Sequence, residues 1–182
     1  MLKGLHHNAY RCRDSEETRQ FYEGFLGIPL VNAFEIKESK SGRATRALHS
    51  FYQLDDGSCL AFFEAPDMPF AFKTQHDYDL HIALEVSPED LLRMFEKGKE
   101  AGIETRGISD HKFIDSIYFR DPNGYVIELT AKRPNHDEAM DPERNGARDI
   151  LAQWQATKAQ AAPGETATGD NASARNGVAA RR

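Results

Sequence analysis

One pattern of elements is written twice in this chain, and that repetition restricts its fold more than any other feature. Leu5 to Cys12 alternates at the period of a strand. Asp14-Ser15-Glu16-Glu17 then supplies an N-cap and an acidic first turn for a helix that carries Phe21, Tyr22 and Phe25 and stops at Gly27. Three strand patterns follow, at Leu30 to Ile36, Ala44 to Leu54 and Ser58 to Ala65, the last two joined by the turn Asp55-Asp56-Gly57. The order β-α-β-β-β starts again at Leu80 to Val86. Ser87-Pro88-Glu89-Asp90 caps a helix through Leu91, Leu92 and Phe95, which Gly102 closes. Strands at Ile103 to Gly107, Ser116 to Arg120 and Tyr125 to Ala131 complete the second copy, with Asp121-Pro122-Asn123-Gly124 as a turn.

A βαβββ unit leaves one face of its sheet uncovered, so two copies pair to bury it and curl around a cleft. The expected fold class is therefore α+β: paired modules over residues 1–66 and 78–132 forming an open, curled mixed β-sheet, one domain spanning 1–132. Residues 133–160 read as a polar linker and a C-terminal helix that starts at Asp141-Pro142-Glu143. Ile150, Leu151 and Trp154 share a face there, to pack on the body or against a second copy in a homodimer. Residues 161–182 offer only Val178 as a large apolar side chain and read as a disordered tail.

A formal charge of −6 with mixed signs provides no basic stripe for phosphates, so nucleic acid is a poor partner and a small molecule a better one. No stretch is long and apolar enough for a membrane, and Met1-Leu2-Lys3-Gly4 runs straight into a strand pattern without a signal peptide. Cys12 and Cys59 stand far apart in apolar contexts, which predicts two free, buried thiols in a reducing, cytoplasmic setting.

The chemistry-bearing residues follow the repeat. His7 and His81 occupy matching places in the two first strands, each two residues before an alanine, Ala9 or Ala83, that shares its face and leaves room beside it. Glu64 and Glu128 fall in the two last strands among apolar neighbours, where a carboxylate needs a partner or exposure. Pairing of the modules would converge these four donors on one point, a set suited to Fe, Mn, Ni, Co or Zn.

The segments Leu5-His6-His7-Asn8-Ala9-Tyr10-Arg11, Phe21-Tyr22-Glu23-Gly24-Phe25-Leu26-Gly27, Asp79-Leu80-His81-Ile82-Ala83-Leu84 and Tyr118 through Glu128 together resemble the vicinal oxygen chelate superfamily, over about Leu5 to Lys132. That superfamily includes glyoxalase I, bleomycin resistance proteins, fosfomycin-resistance transferases and extradiol ring-cleaving dioxygenases. Its pattern falls on His7 rather than His6, which points to the opposite face and is left to packing or the surface.

Within the family two activities compete. Asp110-His111, Ser116-Ile117-Tyr118, Asp121-Pro122 and Glu128 resemble the extradiol signature, with Ser109 departing from it. The resemblance implies Fe(II) on His7, His81 and Glu128, with His111 and Tyr118 binding a catechol-like substrate and assisting proton transfer. The alternative is a glyoxalase I-like lactoylglutathione lyase. It implies His7, Glu64, His81 and Glu128 as ligands of Ni, Zn, Co or Mn, Glu64 or Glu128 as the catalytic base, and Arg11 as a glutathione contact; Met68 stands where that family carries asparagine. A third reading is metal-free sequestration of a drug-like molecule, for which Phe70 and Phe72 are candidates. Arg11 and Glu85 share faces with His7 and His81 and either line the pocket or form an ordinary ion pair; His49 either lines the cleft or is a hydrogen-bonded core histidine. His76 and His136 carry no assigned role.

Overall fold

The computed structural model describes residues 1–38 and 41–158. The first repeat comprises β1 (His7–Arg11), α1 (Ser15–Arg19, continued by π-helical turns over Gln20–Phe25), β2 (Leu30–Glu38), β3 (Ala44–Gln53) and β4 (Cys59–Glu64). The second comprises β5 (His81–Glu85), α2 (Pro88–Glu100), β6 (Thr105–Asp110), β7 (Ile114–Arg120) and β8 (Val126–Lys132). Each repeat forms its own four-stranded mixed sheet, in the order β1-β4-β3-β2 and β5-β8-β7-β6. The first strand pairs parallel with the last, and the other pairings are antiparallel.

Local chemistry sets the boundaries. The Asp14 carboxylate accepts from the amides of Glu16 and Glu17, and Ser87 accepts from Asp90 with Pro88 opening α2. Because side chains alternate along a strand, Leu60 and Phe62 on β4, and Ile127 and Leu129 on β8, face the helices. These faces share one core. Phe25 and Phe119 meet edge to face at 5.1 Å, Tyr22 donates to Asp121 at 3.0 Å, and the Tyr125 hydroxyl donates to the Arg11 carbonyl at 2.8 Å. Phe62, Phe119 and Ile127 are almost wholly buried, each contributing about 1.5–3 kcal/mol over an exposed side chain. Gly98 is required at the contact of α2 with its sheet, since a Cβ there would run into the Phe119 ring and the Thr105 hydroxyl.

The helix faces thus weld the repeats together, while the opposite faces carry His7 on one sheet and His81 on the other. Both cysteines are free and buried. Residues Met1–His136 form one compact unit, and a second begins at Asp137. After the short helix α3 (His136–Ala139), α4 spans Ala147–Thr157 in the second unit, later than the sequence predicts. Asp141 instead closes a turn, accepting from the amides of Arg144 and Asn145 through its carbonyl and from Glu143 through its carboxylate, and left-handed Gly146 precedes the helix. Ile150, Leu151 and Trp154 on α4 are exposed. The expected disordered tail over 161–182 lies outside the described residues. Among the described residues, no helix is long and apolar enough to cross a membrane.

Candidate metal centre

Two of the expected donors meet on the second sheet. His81 on β5 and Glu128 on β8 are brought together because Ala83, two residues after His81, is paired with Glu128 in parallel register. His81 Nε2 lies 3.4 Å from Glu128 Oε2. Glu128 is 5% exposed, and the other oxygen of its carboxylate, Oε1, accepts from Thr130 Oγ1 at 3.1 Å and from the Tyr118 hydroxyl at 3.3 Å. His81 is fixed from behind: its Nδ1 lies 2.7 Å from the Asp77 carbonyl, to which it donates. With Nδ1–H committed to that carbonyl, the imidazole in its neutral form would present a lone pair on Nε2 toward a carboxylate oxygen. Two acceptors that face one another call for a cation between or beside them. An imidazole with its second nitrogen tied to a carbonyl is the arrangement found at metal-bound histidines. This donor pair fits a divalent metal.

Beside it stands a hydrogen-bonded histidine–tyrosine pair. His111 is held in the turn between β6 and β7, where its amide donates to the Ile114 carbonyl, and its Nε2 lies 2.7 Å from the Tyr118 hydroxyl. Burial first, then the negative charge of Glu128, pushes the Tyr118 phenol up. Arg106 lies over the Tyr118 ring at 5.3 Å and grips the Asp77 carboxylate through two hydrogen bonds, holding that carboxyl below its ordinary range.

The remaining expected donors are placed elsewhere. His7, on β1, is exposed beside His6 and packs edge-on against Phe51 and His49. His49 is buried and stacked on Phe63 with 3.7 Å between centroids, its Nδ1 3.0 Å from the Phe62 carbonyl; it is hydrogen-bonded and shares the face of His7. Among the described residues, no group of three or more His, Cys, Asp or Glu is gathered closely enough to hold an ion. The four donors expected to converge are therefore not assembled within one chain.

Glu64 is a correction to the expected repeat. The residue matching Glu128 in the first sheet is Ala61, since Ala61 pairs with Ala9 as Glu128 pairs with Ala83. Glu64 lies three positions further along, and an odd shift in a strand turns a side chain to the other face. There its Oε2 accepts the Ser15 amide at 2.8 Å, at the start of α1. Arg11 and Glu85 do not pair with one another. Arg11 donates to the carbonyls of Ala65 and Met68 and lies over Phe70, and Glu85 is bound to Lys132 at 2.8 Å. Phe70 and Phe72 touch at 4.8 Å.

An apolar hollow of about 330 Å³, walled by Arg11, Ile36, Ala47, Phe63 and Met68, continues the face that carries His7. A larger groove, about 1010 Å³, runs between the repeats beside Ile28, Leu54 and Val86, away from Tyr118 and Glu128. Chemistry, not size, locates the site here. Thr130, which donates to Glu128, is the neighbour that reading the sequence missed. Its spacing from Glu128, two residues along one strand, was the signal that could have found it.

Comparison with known proteins identifies the family and agrees with the fold. The family model described as Glyoxalase/Bleomycin resistance protein/Dioxygenase superfamily matches residues 4–129. The metallothiol transferase FosB of Bacillus licheniformis is 30% identical over 132 residues, covering 70% of this chain and 75% of the transferase. The putative ring-cleaving dioxygenase MhqA of Bacillus subtilis is 27% identical over 150 residues, 80% of this chain, which spans only 45% of that relative's length. Among solved structures, FosX from Listeria monocytogenes, complexed with Mn(II) and sulfate, superposes with a TM-score of 0.56 at 20% identity, covering 76% of this chain and 99% of FosX. A glyoxalase/dioxygenase from Nostoc punctiforme gives 0.54 at 22% identity, covering 72% of this chain and 92% of that one. These two structural likenesses speak to the fold.

Proposed function

The chain belongs to the Glyoxalase/Bleomycin resistance protein/Dioxygenase superfamily, and from that premise we propose that it is an Fe(II)-dependent enzyme opening the ring of a catechol-like molecule with O₂. The observation that carries the proposal is the unbroken line from His111 through Tyr118 to Glu128 and His81, which sets an acid–base pair directly beside two metal donors. His81, Glu128 and His7 are the proposed ligands, and bound iron would supply the redox chemistry between a catecholate and O₂. The chain's own residues handle protons and position. His111 Nε2, at the mouth of the site, takes the proton a catechol loses on binding; Tyr118, kept protonated, passes a proton back as the ring opens. Both oxygen atoms of O₂ end in the product. The hollow beside Phe63 would receive an apolar substituent on the ring.

The site needs a second copy of the chain. His7 and His81 lie in different sheets, and β1 and β5 are both edge strands, each with one free side for pairing. A homodimer in which one protomer's His7 faces its partner's second sheet would complete the donor set.

A glyoxalase-type lyase is the competing activity, and the two residues that distinguish it, Glu64 and Arg11, are engaged at the start of α1 and with backbone carbonyls. Iron-loaded protein, mixed anaerobically with a panel of catechols and then exposed to oxygen, should consume O₂ and release a yellow ring-opened product. Tyr118→Phe and His111→Phe should lose about 10²–10⁴-fold in turnover while retaining iron. No oxygen uptake, with turnover of a glutathione hemithioacetal by the nickel or zinc form, would replace the dioxygenase by the lyase.

A further inference from the structure

The two oxygens of the Glu128 carboxylate are treated differently by their surroundings. Oε2 faces His81, whereas Oε1 accepts from two hydroxyls, those of Thr130 and Tyr118. A phenol has one proton to donate, and the Tyr118 oxygen lies closer to His111 Nε2, at 2.7 Å, than to Glu128, at 3.3 Å. Tyr118 thus divides its hydrogen bonding between two partners. Thr130 does not. Its Oγ1 lies 3.1 Å from Oε1 and 3.2 Å from Ser116 Oγ, and Ser116 is wholly buried. If Thr130 donates to the carboxylate, Ser116 must donate to Thr130, so the two hydroxyls form a directed chain ending on Glu128.

Backbone register explains why these three side chains meet. Thr130 follows Glu128 by two residues on β8, which keeps both on one face, and Ser116 is the cross-strand partner of Thr130 on β7. We propose that Thr130, backed by Ser116, is a positioning residue that fixes the Glu128 carboxylate so that Oε2 is presented to a metal ion beside His81. The inference rests on the reading of Glu128 as a metal ligand. It adds a residue to the site: Thr130 holds Oε1 alongside Tyr118, whose hydroxyl is shared with His111. Outer contacts of this kind orient ligating carboxylates, and their loss lowers metal affinity by about 10–100-fold.

Cobalt(II) is a suitable probe, because both its affinity and its visible absorption report the coordination shell. In competition with a chelator, wild-type protein should bind cobalt, and Thr130→Val should bind it about 10–100-fold more weakly with an altered spectrum. Thr130→Ser, which restores the hydroxyl without the methyl, should recover both affinity and spectrum, an outcome that mere strand packing would not produce. Should the valine variant fail to fold, Ser116→Ala provides the second measurement and should weaken cobalt binding in the same direction, by less. Wild-type affinity in both Thr130→Val and Ser116→Ala, or no recovery in Thr130→Ser, would overturn the role of Thr130 while leaving Glu128 as a ligand. A wild-type protein that binds no divalent metal would overturn the inference together with the function it rests on.

Discussion

His81 donates through Nδ1 to the carbonyl oxygen of Asp77, 2.7 Å away, and the side chain of that same Asp77 is held by Arg106. The loop that orients the imidazole is therefore anchored by an ion pair, and that pair carries a pH signature. Arg106 draws the Asp77 carboxyl below its ordinary value of 3.8. A carboxylate with a lowered folded-state value contributes stability that is present above its unfolded value and is lost as pH falls through the lowered one. The difference in unfolding free energy between wild type and Arg106→Gln should be full at neutral pH and shrink as pH falls below 3.8. Urea unfolding at a series of acid pH values checks this; a difference that grows toward low pH would contradict the sign.

Glu64→Ala should leave metal stoichiometry unchanged, because its carboxylate serves the Ser15 amide and faces the helices. Its cost should be structural, about 1–2 kcal/mol for a charge-assisted hydrogen bond at a helix start, read by chemical denaturation. Loss of bound metal in this variant would restore the four-ligand arrangement.

Completion of the site by a second copy predicts complementation. His7→Ala and His81→Ala should each be inactive alone. Mixed and allowed to exchange subunits, they should regain up to about a quarter of wild-type activity, since half the dimers are mixed and each has one intact site. Activity that stays absent in a mixture shown to contain hybrid dimers would place both histidines of a site in one chain.

Gly98→Ala tests the seam between α2 and its sheet. The added methyl meets the Phe119 ring and the Thr105 hydroxyl, so the helix gains propensity but the packing must give way. A net loss of about 1–3 kcal/mol is expected, as for other overpacked cores. A thermal melt unchanged from wild type would show that the helix shifts freely.

The elements themselves were legible because their signals are local. Asp14, Ser87 and Gly102 mark helix ends through contacts or dihedral angles within a turn or so of the chain, and structure bears them out to within a few residues. Pairing register is not local. Nothing in the segment Leu60 to Glu64 says that Ala61, rather than Glu64, lies opposite the first strand's alanine, so a carboxylate on the wrong face looked like a matching donor. His111 and Tyr118 stood out only through resemblance to a signature. Their meeting depends on the turn over Asp110 to Ile114, where Lys112 takes a left-handed conformation that a residue of its type rarely adopts.

The register also separates scaffold from chemistry. Ala61 stands where Glu128 does, Phe51 where Tyr118 does, and His49 where Ser116 does, so the backbone is twofold but its reactive groups are not. One wall carries His111, Tyr118 and Glu128, and the other, apart from His7, His49 and Arg11, is apolar and aromatic. Substitutions that tune what the aromatic wall accepts can accumulate without touching the groups that move protons, because the two are borne on different sheets of a common frame. A scaffold divided in this way lets selectivity drift while reactivity stays put.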